Sequence, residues 1–375
     1  MKERSRRCVY MDYAAGTPVD KKVKAIMEPY FEEKFGNPSA IYKEGILAKG
    51  ALHEARRKVA QVLHSKPREI IFTSGATESD NLAILGAAFA SGKGHIITSR
   101  GEHPAVLEPC KYLKSRGFSV TYLGPDSDGV IKPESVKKAL KKETILISIS
   151  YADGETGAIQ PIREISSVIK NFKFKKRRPL FHSDASQAAE YLNLDVSVLG
   201  IDLMTINGAK IYGPKGIGCL FVKNGTKIIP ITYGGRQEYS LRPGTENVPG
   251  IVGFGEALKI SAEGRIRESR RLVQIRDYFI DSILKNMPGV SLLGHRNQRL
   301  PNNVSISIKG LRGEEALLYL DQHGISVSTG SACETGKMET SSNLRFTLGR
   351  TTRKADVDHV LKILSRYLDK EKKVL

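Results

Sequence analysis

Residues 69–100 read EIIFTSGATESDNLAILGAAFASGKGHIITSR, and this stretch decides the fold. EIIF (69–72) is a short apolar, β-branched run, and the Ser74–Gly75 turn breaks it. TESDNLAILGAAFA (77–90) then carries a helical pattern, and HIITSR (95–100) returns as a second strand. Strand, turn, helix and strand at this spacing build a mostly parallel sheet covered by helices.

The same alternation continues to about residue 224. Further strand-like runs are SVTYLG (119–124), ILISISY (145–151), LFHSDAS (180–186), DLMTING (202–208) and GIGCLFVK (216–223). PAVLEPCKYLKSRG (104–117) and IREISSVIKNF (162–172) are helical patterns between them. ILISISY is apolar almost throughout, as a strand buried on both faces must be. The expected class is therefore α/β, with a mostly parallel seven-stranded sheet in a large domain.

Beyond residue 256 the pattern changes. A long charged helical stretch (256–287) leads to strand-like VSLL (290–293) and NNVSISI (302–308). Helix-like GEEALLYLDQHG (313–324) follows, then ISVSTGSAC (325–333), LRFTLG (344–349) and a last helix over 354–370. This reads as a smaller α+β domain made of 256–375 with 1–12, beside a large domain of 13–255. A chain of 375 residues suits such a division.

Composition bounds the function. No apolar run is long enough to span a bilayer. The basic N-terminus, MKERSRRCVYMDYAAG, lacks the apolar stretch and cleavage site of a signal peptide, so a cytoplasmic location is expected. Cys8, Cys110, Cys219 and Cys333 are scattered, with no C-x-x-C and no His pair at metal spacing, which argues against a disulfide framework or a structural metal. Cys110 and Cys219 lie in helix-like and strand-like runs and read as core. The net charge of +19 suits acidic or nucleic-acid partners. Its lysines and arginines are spread over stretches such as KKALKKE (137–143) and KFKKRRP (173–179), which reads as a solvated basic face. Direct nucleic-acid binding is not favoured, since no recognition motif accompanies the charge.

Three features converge on one sheet edge. Ser74, Gly75, Ala76 and Thr77 open a helix after a strand, where backbone N–H groups and the helix dipole bind phosphate, with Glu78 and Asp80 in the first turn. Asp184 ends LFHSD at the carboxyl edge of the sheet, with Gln187 three residues on. Lys210 follows another strand in NGAKIYGPKGIG, and burial there would lower its pKa and free the amine. The P-loop order G-x-x-x-x-G-K-[ST] is absent. A reactive lysine, an acid for a pyridine nitrogen and a phosphate cradle are what pyridoxal phosphate (PLP) chemistry requires, together with a ring-stacking partner.

TSGATESDNLAI (73–84), GEHPAVLEPCKYL (101–113), DASQ (184–187), KIYGPKGIG (210–218), RPGTENV (242–248) and STGSAC (328–333), in this order, resemble the NifS/IscS-type cysteine desulfurases, fold-type I PLP enzymes of the class V aminotransferase family. YMDYAAGTPVD (10–20) and FGNPSAIY (35–42) extend the resemblance over nearly the whole chain. It implies that Lys210 carries the cofactor, Asp184 pairs with the pyridine nitrogen, Gln187 contacts the ring oxygen, and His103 stacks on the ring and moves protons. It further implies phosphate contacts from Ala76 and Thr77, and from Thr245 across a homodimer interface; Asn207, which stands where the family has a serine, can still donate to the phosphate. Arg345 in LRFTLG matches the arginine that holds the substrate carboxylate. Cys333 matches the thiol that takes sulfur from L-cysteine, leaving a persulfide and releasing alanine, and is a possible transient Fe–S ligand. The implied recipients are an Fe–S scaffold or a tRNA-thiolation acceptor.

The chain departs from the family at several points. Asp153-Gly154-Glu155-Thr156-Gly157 stands where the family has N-N-E-x-G, and Gly154 supplies no amide. Ala209 replaces the histidine before the cofactor lysine, and Tyr42 a histidine in the opening motif. The stretch from Cys333 to Arg345 is short. The losses remove hydrogen bonds worth roughly 1 kcal/mol each. They keep two alternatives open: a related PLP-dependent selenocysteine lyase or aminotransferase, and a weakly active scaffold for RNA or an acidic acceptor protein. Intact Lys210, Asp184 and Cys333 oppose the scaffold.

Overall fold

The computed structural model describes residues 8–174, 177–309, 311–329 and 343–371. Every strand-like run between 69 and 224 is a strand: β2 (Ile70–Thr73), β3 (His95–Ser99), β4 (Ser119–Leu123), β5 (Thr144–Ser148), β6 (Leu180–Asp184), β7 (Leu203–Asn207) and β8 (Gly218–Val222), after a short β1 (Val9–Tyr10). They form one sheet in the order β2-β8-β7-β6-β5-β3-β4. Strands β7, β6, β5, β3 and β4 are parallel to one another, whereas β8 runs antiparallel to both β7 and β2. Helices α1 (Lys21–Met27), α2 (Pro29–Glu32) and α3 (Lys43–Val62) precede the sheet. Helices α4 (Ala76–Ser91), α5 (Pro104–Ser115), α6 (Pro133–Ala139), α7 (Ile162–Asn171) and α8 (Val196–Leu199) connect its strands. The central strands are apolar because helices cover both faces, and β3 is buried at every position.

This topology decides where chemistry sits. Strands β2, β3, β5, β6 and β7 all point the same way, so the residues that follow them gather along one edge. Those residues are Ser74–Thr77, Glu102–His103, Asp153–Gly157, Asp184–Gln187 and Lys210. Ligands of open α/β sheets bind outside the carboxyl ends of the strands.

Helix α9 (Val248–Asn286) begins earlier than the charged pattern at 256 predicts. Asn247 caps it through its side chain, which accepts from the Gly250 N–H at 3.1 Å. The glycines of VPGIVGFG resemble loop but serve helix packing: a Cβ on Gly255 would lie 3.0 Å from the Ala55 carbonyl of α3. The helix then passes residue 256 without a break. Beyond it, β9 (Val290–Leu292), β10 (Asn303–Ile308) and β12 (Asn343–Thr347) form an antiparallel sheet in the order β12-β10-β9. Strand β11 (Ile325–Ser326) pairs in parallel with β1, which ties the N-terminal segment to this C-terminal unit. Helices α10 (Gly313–Gln322) and α11 (Lys354–Glu371) complete it. A single apolar cluster runs from Phe72 and Phe181 of the large sheet through Phe254 and Phe279 of α9 to Phe346.

One ion-pair cluster rivets the two parts together. Arg350, just after β12, donates from Nε to Glu190 Oε1 at 2.9 Å and from Nη1 to Asp20 Oδ2 at 3.1 Å, and its guanidinium lies 4.0 Å from the Tyr212 ring centroid. Glu190 is 3 % exposed, and burial raises its pKa despite the opposing pull of Arg350 and Ser261. Removing one partner of a buried pair leaves the other charge uncompensated. Arg350→Ala is therefore expected to lower unfolding free energy by about 3 kcal/mol. The loss should be larger at pH 8 than at pH 5, where Glu190 can protonate. Denaturant melts at the two pH values measure it, and an equal loss at both would show that Glu190 is not the group left exposed to the cost.

Candidate active site

The turn expected to cradle a phosphate lies where β2 meets α4. Gly75 (φ 151°) is the N-cap in a conformation that L side chains rarely adopt, and it offers no side-chain cap to the first N–H groups of the helix. A Cβ on Gly218 would lie 2.9 Å from Gly75, so β8 presses directly against this turn. Ala76 and Thr77 stand at the helix start, Thr77 exposed. Glu78 accepts from the Ser74 N–H at 2.6 Å and from Arg242 Nε at 3.0 Å. Burial pushes the Glu78 pKa up, but these bonds outweigh it and the net shift is downward. Asp80, expected on the first turn, instead points into the core and is fully buried. Thr245 belongs to the same loop as Arg242 and is exposed.

Lys210 ends a short 3-10 turn after β7. Its Nζ donates to the carbonyls of Ala14 and Ala15 at 2.6 and 2.8 Å. Burial lowers its pKa, the charge of Arg345 adds to the effect, and Asp12 and Asp184 oppose it. Gln187 Nε2 donates to the same Ala14 carbonyl at 3.1 Å. Asp184 at the end of β6 accepts from the Ser186 N–H at 2.8 Å. Asn207 spends Oδ1 on the Ala209 N–H at 3.2 Å, which leaves its amide donor available. The Ala209 carbonyl accepts from both the N–H and the hydroxyl of Thr17 at 3.0 Å.

His103 caps α5, its Nδ1 accepting from the Ala105 N–H at 3.1 Å. The neutral ring therefore carries its proton on Nε2. The ring is exposed.

A layer of buried acids lies beneath, which sequence reasoning missed. Burial lifts Asp80 well above its ordinary range, and the charge of Asp184 adds to the rise. Burial raises Glu102 to about 8, although its Oε1 accepts from the Ser150 N–H at 2.8 Å. His182, with Nε2 3.6 Å from Asp80 Oδ1, is driven down to about 3 by burial and stays neutral between Ser148 and Thr205. The one available signal was a carboxylate on the apolar face of the helical run DNLAILGAA.

Arg345 of β12 reaches the edge from the C-terminal unit and is buried. Its Nη1 donates to Glu155 Oε1 at 2.6 Å and to the Gly154 carbonyl at 3.3 Å, and its Nη2 to Asp12 Oδ1 at 3.1 Å. Asp12 and Glu155 were not read from the sequence as site residues. A Cβ on Gly154 would lie 3.4 Å from the Gln187 side chain, so the missing amide is one that would have packed against Gln187. Cys333 and the stretch that follows it to residue 342 lie outside the described residues. The chain on either side of that stretch is paired: Ser328 and Arg345 exchange backbone hydrogen bonds of 3.2 and 2.7 Å.

A helix start with uncapped N–H groups, a carboxylate, a lysine of lowered pKa and a buried arginine suit a ligand with a phosphate, a basic ring nitrogen and an aldehyde, together with a carboxylate-bearing amine. The chain matches the model of the aminotransferase class-V family over residues 9–360. It is 46 % identical to cysteine desulfurase IscS of Dictyoglomus turgidum over 97 % of this chain and 95 % of that one. With cysteine desulfurase IscS of Methanosarcina thermophila the identity is 45 %, over 97 % and 93 %. Among solved structures, a NifS-like protein superposes with a TM-score of 0.91 at 35 % identity, over 97 % of this chain and all of that one. SspA in complex with cysteine superposes at 0.77 with 35 % identity, over 91 % and 98 %.

Glu102 gives a pH signature. Its pKa in the folded protein, about 8, lies above the ordinary 4.5, so the folded state holds a proton that the unfolded chain releases. Stability then falls as pH rises through that window and is level above it. Glu102→Gln, which cannot titrate, is expected to lose less stability than the parent between pH 5 and pH 8 in denaturant melts. Parallel curves for the two proteins would show that Glu102 is ionised in the fold.

Proposed function

Because the chain belongs to the aminotransferase class-V family and is a cysteine desulfurase, we propose that it removes sulfur from L-cysteine with PLP held by Lys210 and passes that sulfur to Cys333. The observation that carries this reading is Lys210: half-buried, lowered in pKa, and set at the sheet edge with Asp184 and Arg345. PLP, the cofactor that the family implies, supplies an electron sink when bound. Ala76, Thr77 and Asn207 would take its phosphate, Asp184 its pyridine nitrogen and Gln187 its ring oxygen. Arg345 would hold the α-carboxylate of the substrate, which fixes the sulfur relative to the lysine. Lys210 can give and take a proton at its Nζ once it leaves the Ala14 and Ala15 carbonyls, and His103 can do so at Nε2.

Sulfur transfer balances simply. The Cys333 thiolate attacks the substrate sulfur, an S–S bond forms and the substrate C–S bond breaks. The electron pair goes to the substrate carbon, which takes a proton to become alanine, and Cys333 is left as a persulfide. Cys110 and Cys219 support this choice by default: both are buried, with Cys110 pushed up to about 12 and Cys219 also raised. Cys8 is exposed in the N-terminal segment.

The same reading divides the chain into a cofactor domain, 13–255, and a small domain, 1–12 with 256–375. It also makes the protein a homodimer. Phe31, Phe35, Ile41, Tyr42 and Ile46 are more than half exposed within one stretch, an apolar surface that a second copy would cover. Exposed Thr245 would then reach the partner's cofactor phosphate. The acceptor of the sulfur is an Fe–S scaffold or a tRNA-thiolation protein, and the charge of +19 suits an acidic surface.

Sulfide and alanine released from L-cysteine with a reductant test the reading. Lys210→Ala is expected to lose both products and the cofactor absorption band. Cys333→Ser is expected to keep the band and lose sulfide release. A Cys333→Ser protein that releases sulfide at the parent rate would overturn the persulfide step, and a Lys210→Ala protein with full turnover would overturn the site.

A further inference from the structure

We propose that Arg56 and Glu238 are positioning residues for the cofactor phosphate: their buried ion pair selects a left-handed turn, and the loop beyond that turn braces the helix start at Ser74–Thr77. The inference rests on the reading of that helix start as the phosphate site. Strand β2 ends the seven-stranded sheet, with β8 on one side only. An edge strand carries backbone groups that no further strand takes up. Here an ion pair takes them. Arg56 of α3 donates to the Ile70 carbonyl, and Glu238 accepts from the Phe72 N–H at 2.9 Å. Two bonds of 2.7 and 2.5 Å join the guanidinium to the carboxylate, and both residues are buried.

The pair also holds a costly backbone. Glu238, Tyr239 and Ser240 have φ of 44°, 58° and 64°, three successive residues in the left-handed region and none of them a glycine. Their local hydrogen bonds do not select this hand. A right-handed turn makes the same bonds, from the Ser240 N–H to the Gln237 carbonyl and from the Leu241 N–H to the Glu238 carbonyl. The selecting contacts lie outside the turn. They are the Glu238 carboxylate on Phe72 and Arg56, and the Tyr239 ring, whose centroid is 5.3 Å from the same guanidinium.

The turn then aims the loop. Leu241 packs on the apolar cluster of Ile71, Leu82 and Leu220, and Arg242 donates from Nε to Glu78 Oε1 at 3.0 Å. Glu78 in turn accepts from the Ser74 N–H at 2.6 Å. Glu238 therefore bonds the strand just before the phosphate turn, and Arg242 bonds the turn itself through Glu78. The loop is also closed on itself, because Gln237 Oε1 accepts from the Gly244 N–H at 3.1 Å. Arg242 and the adjoining Thr245 thus take their places from the hand of the 238–240 turn, and that hand comes from the ion pair.

The test titrates the full chain, freed of cofactor, with PLP and with pyridoxal, which lacks the phosphate, and follows the absorption band of each. Glu238→Gln faces Arg56 with an amide and is expected to weaken PLP about tenfold while pyridoxal is unchanged. Arg242→Gln leaves the buried pair intact and is expected to weaken PLP about threefold with the same selectivity. Ser240→Gly adopts φ 64° without strain, so in the Glu238→Gln background it should recover part of the lost PLP affinity. Denaturant melts report which variants fold, and if Glu238→Gln does not, Arg242→Gln decides alone. A parent protein that binds PLP no tighter than pyridoxal has no phosphate site, and the proposal falls with that reading. If the parent prefers PLP and Thr77→Val lowers that preference, the phosphate site stands. Positioning by the pair is then wrong if Glu238→Gln and Arg242→Gln keep the parent's preference or weaken both ligands equally.

Discussion

The contact of Arg350 with Glu190 and Tyr212 is the constraint on which the site depends, because the site is assembled from two parts of the chain. Lys210, Asp184 and the cradle belong to the seven-stranded sheet, while Arg345 and Asp12 arrive with the C-terminal unit. Arg350 lies five residues beyond Arg345, and Tyr212 two beyond Lys210. Tyr212 adopts φ 59°, a left-handed conformation costly for a bulky residue. It is kept there from every side. Its N–H donates to Thr17 Oγ1 at 2.8 Å, its carbonyl accepts from the Asp20 N–H at 2.9 Å, and its hydroxyl accepts from the Arg350 N–H at 2.8 Å. One cluster therefore fixes both the interface and the turn that presents the lysine.

Given that scaffold, the electrostatics follow from burial. Lys210 is pulled down by burial and by a neighbouring arginine, the direction that yields a free amine near neutral pH. The arginine is neutralised by Asp12 and Glu155, so the edge does not accumulate positive charge. Beneath Asp184, Asp80 and Glu102 are raised by burial and His182 is lowered. A layer of neutral titratable groups costs far less to bury than one of charged groups. It also leaves Asp184 as the acid at the end of β6 that faces the site.

How much of this was legible follows the range of each interaction. All seven strands of the large sheet could be read because burial on both faces demands continuous apolar runs, a local property. The cradle, Asp184 and Lys210 were legible because the topology delivers strand ends to one edge. The antiparallel placement of β8 was not, since pairing partners are chosen far along the chain. Helix α9 was read too short because glycines used for packing against α3 look like loop in one dimension. Asp12 was invisible as a partner of Arg345, being 333 residues away. Cys333 was read from its motif, and it lies outside the described residues.

The departures from the family pattern also change meaning once the structure is in view. Ala209 removes a side chain, yet its backbone is held by Thr17, and Asn207 caps the turn from the other side. The lysine's position is thus carried by main-chain contacts that do not need the missing histidine. Gly154 is different. It removes an amide that would have stood against Gln187, and it leaves only a carbonyl, which Arg345 takes. Gly154 and Glu155 on one side and Asp12 on the other therefore hold the Arg345 guanidinium at the sheet edge.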